Sequence, residues 1–458
     1  MASVGSQLEM SAGISSEDTS YMIANTGLVL FMTPGLALFY GGLVRQKAAT
    51  DMMVQNFVAM GFMSLMWFFI GFSMSFGTGK WVGGWQDFFM WQNVMKHEPW
   101  PLLTISGEVF ATFQMMFAII TPVLMTGAFA DRMRFGPYLL FLALWSIFVY
   151  YPWCHQIWGG GWLQSQGVWD FAGGIVVHCT AGWSALATAL ALGPRRAKLQ
   201  GNDLGEPHSV PIVLIGTGIL WFGWFGFNGG SAMGINEVAV TAVTNSHLSA
   251  AAAVSVWGVL DWMAEGKPKL VPLCIACVAG LVVVTPSCGY IQPAKAIFTG
   301  CFAGFVCFDA IRLLKKSGVD DALDVWGVHG VGGACGTILI GILADGPECL
   351  ELEHPEYCVF PKTVARSLNQ VGLQLVGVVL CMIWSFLVTF IILKTMMKIM
   401  KVRPDEAQYE NLDEELHGEP SYTFHEDFFP GESCQNDSAM LDTVSTTDSS
   451  MAQLVAKR

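Results

Sequence analysis

The sequence predicts an all-α membrane protein. Its eleven transmembrane helices form an inverted five-helix repeat plus one extra helix, with the N-terminus outside and the C-terminus in the cytosol. Three observations carry this prediction. Of 458 residues, 53% are hydrophobic and only 13% charged, about half the charged share of a soluble domain. Apolar runs of membrane-crossing length recur along the chain. Lys and Arg fall mostly in alternate loops, the bias that sets orientation in a bilayer.

Residues 1–20 are Ser-rich and contain no Lys or Arg; they lack the basic start of a cleaved signal peptide and read as a short extracellular segment. Runs of about 20 residues, enough to cross ~30 Å of hydrocarbon, follow near 22–43, 55–76, 107–129, 137–157 and 172–193. Five more lie near 210–230, 240–262, 270–288, 293–313 and 326–345, and the last near 370–396. Residues 21–399 therefore read as the transmembrane domain. Loops after odd-numbered runs, with the end of the eleventh, hold sixteen Lys and Arg, from Arg45 to Arg403. Loops after even-numbered runs hold five.

Residues 400–458 read as an acidic cytosolic tail. From Pro404 onward, thirteen acidic residues face only Lys457 and Arg458, so this segment carries −11 of the net −13. The remainder of the chain is nearly neutral and has no basic patch, which argues against nucleic acid as a partner. The stretch 425–458 is polar and poor in aliphatic residues and is expected to be disordered. Asn436-Asp437-Ser438 fits a glycosylation sequon but would lie on the cytosolic side, out of reach of the transferase.

In chain order, the first run ends in "FYGG" at 39–42 and the third carries Phe113 and Phe117 on one helical face. The fourth leads into "HQIWGGG" with Trp158. The fifth opens on Asp170 and contains His178. The sixth ends in "FNGGS", which holds Phe227 and Ser231. The eighth contains Cys274 and Cys277, a pair without two further soft ligands, so packing is expected and no metal or cofactor is called for. The tenth opens near Asp324 and contains His329. Cys349 and Cys358 share a polar loop and are the only plausible disulfide.

An ionisable residue inside a bilayer helix costs about 2.5–3.5 kcal/mol on insertion scales and marks a functional site by default. His178 and His329 enter from opposite faces, ~12 Å and ~8 Å along their helices, so both approach the midplane. Asp170 and Asp324 sit where a carboxylate caps exposed N–H groups and suits the helix dipole. Oppositely oriented matching elements are the mark of inverted-repeat transporters, whose sites lie at the midplane. Gly332-x-x-x-Gly336 and Ala181-x-x-x-Ala185 are small-residue pairs that let membrane helices pack closely. Aromatic faces attract a desolvated cation by ~2 kcal/mol, and neutral imidazoles offer donors and acceptors without fixed charge. Together they suit a small monovalent cation that can shed a proton.

At these residues the sequence resembles the ammonium transporters of the Amt/Mep/Rh family, through "DFAGGIVVH", "WFGFNGGSA", "VTPSCGYI" and "DVWGVHGVGG". Trp158 and Ser231 make it more similar to the Amt/Mep branch. The resemblance implies a homotrimer with one pore per subunit and, most simply, a plasma-membrane location. It implies that Phe113, Trp158 and Ser231 form an outer ammonium site and that Phe117 and Phe227 form a gate. His178 and His329 would be twin pore histidines, with Asp170 supporting the outer site without lining it. "EELHGEPSYTF" at 414–424 resembles the branch's regulatory segment, with Thr423 as a modification candidate for a kinase or other cytosolic regulator. The expected function is ammonium uptake without catalysis. An ammonium sensor signalling through the tail is the alternative, whereas an intramembrane hydrolase would need a nucleophile elbow or HExxH, both absent.

Overall fold

The computed structural model describes residues 13–200, 207–345, 364 and 366–422. Among them there is no strand, and Pro99 and Ser106 form an isolated bridge. The principal helices are α1 (Ser16–Leu43), α2 (Gln46–Phe76), α3 (Gly107–Ala128), α4 (Phe135–Ser165), α5 (Gly174–Leu192) and α6 (Val210–Gly230). They continue as α7 (Glu237–Glu265), α8 (Leu270–Val284), α9 (Pro293–Ser317), α10 (Trp326–Leu343) and α11 (Leu368–Ile399). Nine of the described helices are long and apolar enough to span a bilayer. The exceptions are α7, diluted by Thr, Ser, Asn and His, and α8, apolar but 15 residues long.

Helix ends obey local chemistry. Ser15 caps α1 by accepting from the Asp18 N–H (3.1 Å), and Asn236 caps α7 from the Ala239 N–H (2.9 Å). Ser367 caps α11 from Gln370 (3.0 Å). Each satisfies an N–H that has no partner within its helix. Helix α1 therefore starts six residues before the apolar run, because Glu17 and Asp18 suit the positive end of its dipole. Helix α4 breaks after Trp158 at Gly159–Gly161.

Helices α1 and α6 cross in close contact. A Cβ on Gly216 would lie 2.3 Å from the Phe39 nitrogen, so only glycine lets the two backbones meet there. At Gly336, an added Cβ would lie 2.2 Å from the Val283 carbonyl of α8, which gives one expected small-residue pair a packing partner.

Two short helices follow α11: α12 (Glu406–Glu410) and α13 (Leu412–His417). They pack on the face that bears Arg45, Thr50 and Arg196, the tail face; the opposite face carries Ser15, Thr104 and Ile235. Helix α2 enters its first α turn through Ala48, which has no side chain able to cap it. The tail supplies the missing acceptor: the Asp413 carboxylate receives the Thr50 and Asp51 N–H groups at 3.2 and 2.9 Å. His417 Nε2 lies 2.9 Å from the Asp51 carboxylate, and the Arg45 guanidinium lies 4.2 Å over the Tyr409 ring.

From charge, an acidic tail is expected to rest on the basic loop residues Arg132, Arg134, Arg195 and Arg196. Among the described residues, Arg196 is the one of these four that meets a tail carboxylate, Glu406 at 3.3 Å. Arg132 and Arg195 turn to Asp320 instead (3.9 and 2.8 Å), and Arg134 gives its backbone N–H to Val402. Thr423, Cys349 and Cys358 lie outside the described residues, as does 425–458.

Replacing Asp413 with Ala should cost about 1–2 kcal/mol, as for other lost caps, and loosen the tail. Limited proteolysis beyond Arg403 checks this: Asp413→Ala should be cut faster than wild type, with Asp413→Asn between them. Identical cleavage rates would mean that the cap does not hold the tail.

Candidate functional site

Two cavities lie in line, one on each side of a pair of tilted, closely apposed rings. The first opens toward the N-terminal face and encloses about 690 Å³ counting its mouth; its wall includes Phe110, Gln114, Phe117, Trp158, Asp170 and Ser231. The second, about 360 Å³ when all the space between its lining atoms and at its openings is counted, is lined by apolar side chains together with Tyr40, Trp224, His178 and His329. Phe117 borders the first cavity and Phe227 the second, and their ring centroids are 4.5 Å apart. This contact closes the path between them.

Trp158 sits at the end of the regular part of α4 and is fixed by its indole N–H, which donates to the Asp170 carbonyl at 2.8 Å. Its ring stands edge-on to Phe117 at 5.7 Å. Ser231 caps the end of α6 and donates its hydroxyl to the Phe227 carbonyl (2.8 Å), which leaves its oxygen lone pairs to accept. Phe113 is fully buried, 5.2 Å from Phe117 and beneath Gly230. The α3 aromatics facing the first cavity are Phe110 and Phe117.

Asp170 is both part of the wall and the anchor of α5. One carboxylate oxygen accepts from Gly173 and Gly174 (2.8 and 2.7 Å), the other from Ile175 and Val176 (2.6 and 3.2 Å). Four otherwise orphaned donors are satisfied by one charge at the positive end of a helix. Helix α5 opens with a π turn, Gly174–Cys179, and α10 does the same at Trp326–Val331. Each π turn contains one of the two histidines.

The histidines meet between these helices. Their Nδ1 atoms are 3.2 Å apart and both rings are buried. A hydrogen bond between two Nδ1 atoms needs one donor and one acceptor, so two neutral rings must adopt different tautomers. The approach is possible because α5 and α10 cross at Gly182 and Gly330: a Cβ on Gly182 would fall 2.0 Å from the Gly330 nitrogen. His178 stacks on Trp224 (5.6 Å) and Phe227 (6.1 Å), and its Nε2 has no protein partner.

Asp324 does not cap α10 with its side chain. Its φ of +61° turns the carboxylate toward Lys315, 2.9 Å away. The cap is Asp321, which accepts from the Trp326 N–H at 2.7 Å. Spacing carried this signal: Asp170 precedes His178 by eight residues, and Asp321 precedes His329 by the same eight.

Two further residues had no sequence signal. Gln114 is buried in the wall of the first cavity with its Oε1 unpartnered, an acceptor beside the aromatic rings. Trp224 backs His178 and is held by donation to the Thr285 hydroxyl (2.9 Å). The site thus combines π faces and lone acceptors, a close apolar contact between two phenyl rings, and hydrogen-bonded imidazoles.

The Ammonium Transporter Family model matches residues 20–422. Ammonium transporter Amt1 of Archaeoglobus fulgidus is 38% identical over 414 residues, covering 90% of this chain and all of the relative. The crystal structure of Saccharomyces cerevisiae Mep2 aligns with a TM-score of 0.79 at 33% identity, covering 89% of this chain and 93% of that one. A solved "Sensor Amt Protein" aligns at 0.78 with 29% identity, covering 86% and 96%. With its apolar helices and this match across most of its length, the chain is an integral multi-pass membrane protein that belongs to the ammonium transporter family.

Proposed function

We propose that this protein moves ammonium selectively across a membrane, most simply the plasma membrane, as a homotrimer with one pore per subunit. Eleven spans in two inverted five-helix repeats plus α11 would put the first cavity outside and the tail face in the cytosol. The cation is recruited against Trp158, Phe110 and Phe117, with Ser231 and Gln114 as acceptors. Phe113 contributes from behind Phe117.

The observation that carries this reading is the Phe117–Phe227 contact between an acceptor-lined vestibule and a chamber containing two neutral imidazoles. A bare cation in that apolar constriction would lose its hydration without replacement. Ammonium can leave its proton behind and cross as ammonia; potassium cannot. His178 and His329 handle the proton separately from the ammonia. Asp170 holds the α5 entrance in shape.

Flux of ammonium and methylammonium into vesicles containing the full chain, with current recorded alongside, tests this directly; no saturable ammonium flux would end the transport reading. Trp158→Leu should weaken the preference for ammonium over potassium and methylammonium by up to about thirtyfold, since a desolvated cation–π contact is worth ~2 kcal/mol. Wild-type competition profiles in a normally folded Trp158→Leu protein would remove Trp158 from the outer site.

The second reading, an ammonium sensor, is favoured by the likeness to a sensor Amt protein and by the tail capping α2. Truncation at 412 that ends signalling but leaves uptake intact would support it.

A further inference from the structure

We propose that Asp321 is the proton-exchange group at the tail-side end of the pore, accepting the proton that His329 releases and passing it to solvent. This rests on the transport reading above. The geometry begins with a contrast between two equivalent carboxylates. Both stand eight residues ahead of a pore histidine and both cap the helix that carries it. Asp170 has four N–H donors on its two oxygens. Asp321 is 7% exposed; its Oδ2 receives the Trp326 N–H, while its Oδ1 is buried with no hydrogen-bond partner. An unpartnered buried carboxylate oxygen is costly, and protonation at that atom relieves the cost. Both oxygens of Asp170 are occupied by donors, whereas Asp321 keeps one oxygen open to take a proton.

Its position suits the task. The second cavity runs from His329 to Tyr40. The Tyr40 ring reaches Gly127, where an added Cβ would lie 2.9 Å from its Cζ, and the Gly127 carbonyl accepts the Leu323 N–H (3.1 Å). The far end of the cavity therefore abuts the loop that carries Asp321.

The charged neighbours bracket the group without neutralising it. Asp324 repels from its own loop, though it is itself paired with Lys315. Arg132 attracts from the α3–α4 turn, but it lies near Asp320 and gives its guanidinium N–H groups to the Gly193 and Ala128 carbonyls. Tyr40 faces it from α1 and donates to the Leu124 carbonyl. Burial, then Asp324, pushes the Asp321 carboxyl up to about 7, against the pull of the Trp326 and Val325 N–H groups and Arg132. A group ionised above that pH and protonated below it exchanges protons at neutrality.

In the step itself, an N–H bond of the His329 imidazolium breaks and leaves neutral imidazole. Water carries the proton down the cavity, and an O–H bond forms at Asp321 Oδ1. Solvent on the tail face then takes the proton and regenerates the carboxylate.

The test uses the full chain in vesicles, with ammonia uptake and ammonium-evoked current recorded against tail-side pH on both sides of neutrality. Wild-type current should rise as the pH passes through about 7. Asp321→Asn keeps an acceptor for the Trp326 N–H but exchanges no proton. Its current should fall by about a hundredfold, the low end of one acid–base group's contribution, and lose its pH step while ammonia uptake persists. Asp321→Glu should keep the current with a shifted midpoint. Asp321→Asn with wild-type current and pH profile would overturn the proposal. If Asp321→Asn does not fold, Asp321→Glu decides, and an unmoved midpoint overturns it. Wild-type ammonia flux without proton movement also ends this proposal and leaves the transport reading standing. Absence of any wild-type ammonium flux ends the transport reading instead.

Discussion

Asp170→Ala is expected to abolish both transport and stable folding. Alanine would leave the Gly173, Gly174, Ile175 and Val176 N–H groups facing no acceptor in a buried site. A hydrogen bond to a charged group contributes about 1.5–3 kcal/mol. Even with partial relaxation, the loss should be on the order of 5 kcal/mol, at the top of the range for single substitutions. The cap also fixes the Asp170 carbonyl that holds Trp158, so any folded remainder should lose its outer site. Asp170→Glu, with its charge one methylene further out, should retain part of both properties. Thermal unfolding in detergent and ammonium flux per folded protein check the two arms. Full flux at normal abundance in Asp170→Ala would show that the carboxylate is dispensable.

His178→Ala and His329→Ala should each impair ammonium flux strongly, and the double variant should lose less than the sum of the two single losses. The two rings form one hydrogen-bonded pair, so removing either breaks the same unit, and contacting residues couple by about 0.5–3 kcal/mol. The vacated volume adjoins Phe227 and Trp224, which stack on His178. A widened chamber able to hold water should admit potassium. Current and uptake per surface-expressed protein, at several pH values, separate this from packing: a packing role lowers abundance and leaves flux per molecule unchanged. Additive losses, with ammonium selectivity intact in both single variants, would end the paired-histidine mechanism.

The histidine pair was legible because a bilayer makes ionisable residues conspicuous, and orientation bias brought both to one depth. The sequence reading placed the carboxylate of the second helix at Asp324, from its helix-terminal position, and left unused the eight-residue spacing that points to Asp321. Left-handed backbone at Asp324 decides between them, and a three-acid loop does not announce which residue adopts it. Nor does periodicity distinguish Phe110 from Phe113 at the cavity wall, since both lie on α3 and the ring against Gly230 is hidden by a neighbouring helix. The tail was read through net charge, whereas it docks by capping an uncapped helix, a match between one carboxylate and two particular N–H groups. The seventh and eighth runs lie on helices that a length-and-hydropathy test alone does not admit, because their polar and short stretches rely on neighbours.

The paired π turns have a consequence for how such a chain can vary over time. A π turn holds one more residue than the α turn it replaces, and each α-helical residue advances the chain by about 100°. Point changes inside Gly174–Cys179 or Trp326–Val331 alter a single side chain. Deleting one residue would convert the turn to ordinary helix and swing everything beyond it to another side, separating each histidine from its aspartate in angle as well as spacing. In functional descendants, segments 170–178 and 321–329 should therefore accumulate substitutions but keep their length, while insertions and deletions collect in the connecting loops. A library of single-codon deletions scored by growth on limiting ammonium would reveal these two stretches as matched gaps.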